Sequence, residues 1–107
     1  MTEIRWSLQA IADVEAIRDF IRRDSPTYAA LVAARIVTAV ERLALFPESG
    51  RIVPEFRDPA LREVLWRNYR IVYRCRPGSV EIATVFHGAR LVAIEGLQAA
   101  TPEADQE

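Results

Sequence analysis

The chain has 107 residues, half of them hydrophobic, and its 14 basic side chains face 15 carboxylates for a formal net charge of −1. That length holds one compact domain and little more, and the single cysteine, Cys75, excludes an internal disulfide or a multi-cysteine metal site. No stretch is long enough and apolar enough to span a bilayer and no basic-then-apolar leader opens the chain, so the reading is a cytoplasmic protein with no metal and no cofactor.

Residues 1–96 read as a single domain and 97–107 as an acidic, flexible tail. A short Ile4-Arg5-Trp6 run predicts a first strand, and Ser7 follows as a helix N-cap. Ala10, Val14, Ile17 and Ile21 then recur at helical spacing, with Asp13, Glu15, Arg18 and Arg22 largely off that stripe. Ser25-Pro26 restarts the pattern with an N-cap and a proline at the first helical position. Ala29, Val32, Ile36, Val40 and Leu43 carry it to Phe46-Pro47, which makes a helical hairpin.

After the Pro47 to Gly50 breaker the period changes to two. Leu61 to Trp66, Tyr69 to Arg76 and Val80 to Phe86 predict three strands, joined by turns at Arg67-Asn68 and Pro77-Gly78. The expected fold class is α+β: an N-terminal strand and a helical hairpin packed on a three-to-four-stranded antiparallel sheet. Alternation places Tyr69, Ile71, Tyr73 and Cys75 on one face of the second strand, opposite Arg70, Val72, Arg74 and Arg76. In the third it opposes Val80, Ile82, Thr84 and Phe86 to Glu81, Ala83, Val85 and His87. With the aromatic and aliphatic face on the helices, Arg70, Arg74 and His87 are expected to look outward together.

The arginines are the chemical signal. All 14 cations are arginine, and residues 51–90 hold eight of them against four carboxylates, whereas 91–107 hold four carboxylates and no cation. A guanidinium fork suits carboxylate or phosphate, so several on one small sheet imply an anionic partner. The candidate binding residues are Arg51, Glu55, Arg70, Arg74 and Arg90. Metal-free cleavage of RNA would need a base, an acid and cations for the phosphorane, and its only cast is His87, Glu55 or Glu63, and Arg70, Arg74 or Arg90. The competing structural readings have Arg70 and Arg74 coating a solvated face and pairing with Glu81, and Arg51 as a turn residue paired with Glu55. They have His87 as a hydrogen-bonder, Arg90 holding the chain exit, Trp6 and Trp66 as core or rim aromatics, and Cys75 as a small hydrophobe.

A Trp-ended first strand, Ala10-x-x-Asp13-Val14-x-x-Ile17, Ser25-Pro26, Phe46-Pro47-x-x-Gly50-Arg51-x-Val53-Pro54-Glu55, Arg62-Glu63, Tyr69-Arg70-Ile71-Val72-Tyr73-Arg74 and Val85-x-His87-Gly88-Ala89-Arg90 occur in that order. From Ile4 to about Arg90 this pattern resembles the ParE/RelE superfamily of type II toxin-antitoxin toxins, which includes plasmid stabilisation proteins. The resemblance implies a cognate antitoxin, ParD-like or other, as partner. The Gly-Arg-x-Val-Pro-Glu and Tyr-Arg-Ile-Val-Tyr-Arg blocks are closest to ParE. They imply DNA gyrase as target, an inhibitor rather than an enzyme, no catalytic residues, and no sequence-specific DNA binding by this chain. The alternatives are a RelE-like, ribosome-dependent messenger-RNA endoribonuclease, against which the absence of lysine counts, and an inactive antitoxin-binding scaffold.

Overall fold

The computed structural model describes residues 1–88. Ser7 joins its first two elements. β1 (Glu3–Trp6) ends there, and α1 (Leu8–Arg22) starts with Ser7 Oγ accepting from the Ala10 amide at 2.9 Å. Ser25 caps α2 (Pro26–Glu41) in the same way through the Tyr28 amide, with Pro26 in the first turn where its missing N–H costs nothing. A 3-10 turn over Arg42–Ala44 then carries Leu43 into the core.

The predicted stripes are the faces that pack. Ala29, Val32, Ile36, Val40 and Leu43 are buried, as is Ala10, while Val14, Ile17 and Ile21 are partly buried against the same cluster.

β2 (Arg51–Ile52), β3 (Leu61–Trp66), β4 (Tyr69–Arg76) and β5 (Ser79–His87) complete a five-stranded sheet of order β1-β5-β4-β3-β2. The α+β class and the antiparallel meander match expectation; the strand count and one direction do not. β2 is too short to show an alternating pattern, and β1 lies parallel to β5, with Glu3 beside Ser79. Such a distant pairing leaves no local period to read.

Each face of the sheet carries a cluster. Under the helices lie Ile71, Tyr73, Val80, Ile82 and Val85, with Trp6, Trp66, Tyr69 and Cys75 at the margin. On the other face Val53, Leu61, Val72 and Phe86 form a smaller cluster with Phe56 packed against it. The face expected to be open is therefore partly roofed by the segment that follows β2.

A bulge sets which side chains go where at the end of β5. Val72 pairs with Thr84 but Tyr73 pairs with Ile82, so Ala83 is the extra residue and the alternation of β5 reverses across it. Helix α1 holds this irregularity: Ser7 Oγ donates to the Ala83 carbonyl at 2.9 Å, and Asp13 Oδ2 accepts from Thr84 Oγ1 at 2.6 Å and from the Val85 amide at 3.0 Å. In consequence Val85 joins the helix-side core, and Phe86 goes to the opposite face.

Candidate functional site

Gly50 to Glu55 is a structural latch built around a buried carboxylate. At Gly50 a Cβ would sit 2.6 Å from the Glu63 carbonyl oxygen and 2.7 Å from the Tyr73 hydroxyl, so only glycine allows this approach. Its amide donates to the Tyr73 hydroxyl at 3.0 Å. Arg62 pins the same segment by donating to the carbonyls of Gly50 at 3.0 Å and Pro59 at 3.0 Å. Val53 then fills the smaller core.

Around this latch two arginines and two glutamates close on one another. Glu63 on β3 is 1% exposed; its Oε2 accepts from Arg51 Nε at 2.6 Å and its Oε1 from Arg70 Nε at 2.6 Å. The terminal nitrogens of Arg70 grip Glu55 bidentately at 3.0 and 2.8 Å, and its guanidinium lies 5.4 Å from the Phe86 ring centroid. Hydrogen bonds from Arg70 hold the Glu55 carboxyl below its ordinary range, against the smaller opposing effect of burial. The Glu55 and Glu63 contacts push Arg70 the other way, further into its charged form. Cross-strand register explains the assembly: Arg51 lies directly opposite Glu63, and Arg70, opposite Leu65, is its diagonal neighbour.

Several placements correct the outward trio. Arg70 is only 7% exposed. Arg74 is partly buried and approaches Asp58 at 3.6 Å, and it is Arg76, not Arg70 or Arg74, that pairs with Glu81. His87, past the bulge, lies beside Tyr69 in register, with its ring edge-on to the Tyr69 ring at 5.9 Å. Tyr69 belongs to the helix-side cluster, so His87 and Arg70 stand on opposite faces. Arg51 pairs with Glu63, not Glu55. Arg90 and the tail over 97–107 lie outside the described residues.

Trp66 and Tyr69 stack at 6.3 Å between centroids, and Arg67 covers Trp66 at 5.1 Å, which fits the rim role expected of Trp66. Cys75 packs at the core margin, where burial pushes its thiol pKa up. Among the described residues no group of three or more His, Cys, Asp or Glu side chains is placed to hold a metal. No helix among them is long and apolar enough to cross a membrane.

What sequence reasoning missed is a groove at the edge of the sheet. An open cavity of about 420 Å³ lies between α2 and β3; Ala39, Arg42, Arg51, Val64, Leu65 and Trp66 are among its lining residues. It forms because β2 pairs only with Arg62 and Glu63: the chain leading into β2 turns inward at Gly50, so that among the described residues the rest of β3 has no strand beside it on that side. Nothing local signals Arg42, a cation just beyond the end of α2 and off the apolar stripe.

A family model described as the ParE toxin of type II toxin-antitoxin systems matches residues 4–92 of this chain. The chain belongs to that family. Toxin RelE2 of Caulobacter vibrioides is 40% identical over 92 residues, covering 85% of this chain and 100% of that protein. Putative toxin Y4kP of Sinorhizobium fredii is 43% identical over 86 residues, covering 78% of this chain and 85% of that one. Among solved structures, a chain of the chromosomal ParDE system from P. aeruginosa superposes with a TM-score of 0.68 at 24% identity, covering 81% of this ParE-family chain and 96% of that one. A chain of the RelBE2 toxin-antitoxin complex from Mycobacterium tuberculosis gives 0.53 at 20% identity, covering 83% and 93%. At those identities the likeness concerns the fold. Family membership makes the chain a toxin of the type II class; its target is a separate question, because relatives under both the ParE and the RelE names are similar to it.

Proposed function

We propose that this toxin arrests growth by inhibiting DNA gyrase, trapping it in its cleavage complex and so stopping replication. In this reading it acts in the cytoplasm and a cognate antitoxin neutralises it. The observation that carries the inhibitor reading is the separation of the residues a nuclease would need. General acid-base catalysis requires acid, base and phosphate-binding cations within hydrogen-bond reach of one substrate. Here His87 lies on the helix side of the sheet, while Arg70, Glu55 and Glu63 lie on the other and satisfy one another. Freeing Arg70 for a phosphate would leave Glu63 and Glu55 short of a partner, a cost of several kcal/mol for a buried pair.

The ParDE and RelBE2 names of the structural neighbours support a protein partner for this chain as well. The alternative is the RelE-like reading, ribosome-dependent cleavage of messenger RNA, which the RelE name of one similar toxin favours. Two assays on the purified protein separate the readings. Supercoiling by gyrase is expected to fall with added toxin while messenger RNA on translating ribosomes stays intact. Cleaved messenger RNA with undiminished supercoiling would replace the inhibitor with the nuclease, and inactivity in both assays and in growth would leave the scaffold.

A further inference from the structure

β5 has a strand on both sides only as far as Ile82. There its neighbour β1 ends, with Trp6 opposite Ile82, and the chain turns away into α1, so that among the described residues no strand flanks the rest of β5 on that side. Two side chains stand in for the missing strand. The Ser7 hydroxyl donates to the Ala83 carbonyl at 2.9 Å while accepting from the Ala10 amide. Asp13 Oδ2 accepts from the Thr84 hydroxyl at 2.6 Å and the Val85 amide at 3.0 Å, and Gln9 steadies the carboxylate by donating to Oδ1 at 2.7 Å. Together they grip the bulged residue and the two that follow it.

That stretch has a second register open to it. Without the extra residue Ala83 would pair with Val72, Val85 with Arg70 and Phe86 with Tyr69, in unbroken alternation. The side chains permit either arrangement. Thr84 and Val85 are alike in shape, so one or the other fills the position beside Ile71 and Ile82, and Phe86 or Val85 faces the smaller cluster. What distinguishes the registers is polar. In the unbroken one the Thr84 side chain turns into the helix-side core and the Val85 amide turns toward β4, so Asp13 loses both donors it now holds.

The register decides where His87 goes. With the bulge in place His87 lies beside Tyr69, and Phe86 lies opposite Arg70 with its ring centroid 5.4 Å from the guanidinium. Without it His87 joins the face of Arg70, Glu55 and Glu63. We propose that Ser7 and Asp13 form a register lock: they hold the bulge at Ala83 and so keep Phe86 on Arg70 and His87 on the opposite face. Opened, the lock lets β5 slip by one residue beyond Ile82, and His87 and Phe86 exchange faces. The lock deepens the proposed function, resting on its reading that His87 and the arginine cluster do not act together, and it makes α1 the element that enforces their separation.

The test compares the isotope-labelled full-length parent with Asp13→Ala and with Asp13→Ala lacking Ala83. Deleting Ala83 joins Ile82, opposite Tyr73, directly to Thr84, opposite Val72, and so fixes the present faces with no bulge left to hold. Nuclear Overhauser contacts from the Phe86 ring to the Arg70 side chain and from the His87 ring to the Tyr69 ring report the register, and the parent should show both. In Asp13→Ala both are expected to be lost and a contact between Phe86 and Tyr69 to replace them; the deletion should restore the parent pattern. Survival of both contacts in Asp13→Ala overturns the lock. Their loss without restoration by the deletion overturns it too, since a residue needed only for stability gains nothing from the removal of Ala83. If Asp13→Ala alone does not fold, a deletion variant that folds with the parent's contacts supports the lock and one that stays unfolded overturns it. Gyrase takes no part in this readout, so a parent that cuts messenger RNA would refute the inhibitor reading and leave the register result standing.

Discussion

Beneath the helices Ile36, Leu43, Ile71 and Ile82 are hidden from water by one another; on the opposite face of the same sheet Glu63 and Arg70 are nearly as well hidden but carry opposite charges. The two sides respond to damage in different ways. An apolar core loses stability in proportion to the atoms removed and the cavity left. An ion cluster loses little until one member goes, after which a buried charge stands unpaired. The second behaviour suits a sheet only eight residues deep at β4, where the segment from Gly50 to Glu55 must be fixed in one place.

The largest expected effect comes from the ionic side. Glu63→Ala leaves Arg70 buried with only Glu55, and should lower unfolding free energy in urea by about 3–5 kcal/mol. A loss below about 1 kcal/mol would mean water already solvates the cluster. Ile36→Ala tests the apolar side and should cost about 2–5 kcal/mol, scaling with the cavity that remains. The contrast sharpens if Ile36→Val costs about 0.5–1.5 kcal/mol while Glu63→Gln, nearly isosteric, costs more than that, since shape is kept in both and charge is lost in only one.

Tyr73→Phe should come next. It removes the only acceptor shown for the Gly50 amide and should cost about 1–3 kcal/mol, read as a lower urea midpoint with unchanged slope.

The smallest effect is in the acid limb. The folded Glu55 carboxyl is depressed below its ordinary value of 4.5. Its contribution is therefore present above that value and lost as pH falls through the folded pKa. Glu55→Gln should flatten the pH dependence of stability below about pH 4.5. At the alkaline end the sign reverses. Burial raises the Cys75 thiol above its ordinary 9.0, so stability declines as pH rises past that value, and Cys75→Ser should reduce the decline.

The helices and the meander were legible because each residue spoke for itself: Ser7, Ser25 and Pro26 mark starts, and the periods of Ala29 to Leu43 and of Tyr69 to Arg76 mark faces. The bulge at Ala83 was not, since neither glycine nor proline marks it, and one extra residue moved both Phe86 and His87 to unexpected faces. Arg70 looked exposed because an arginine facing away from the main core ordinarily is. A signal was nevertheless available. The two-residue turn at Arg67-Asn68 fixes the hairpin register, which places Glu63 and Arg70 diagonally on one face. The groove depends on where β2 stops and where α2 ends relative to β3, a tertiary fact with no local trace.

His87 and the Arg70 cluster lie on opposite faces and are expected to form no joint catalytic site. Supercoiling inhibition and messenger-RNA cleavage by purified His87→Ala, set beside the parent protein, test it most directly. The variant is expected to inhibit gyrase as well as the parent does, and neither should cut messenger RNA on ribosomes. A parent that cuts, with cleavage falling by about 10²-fold or more in His87→Ala, would contradict it.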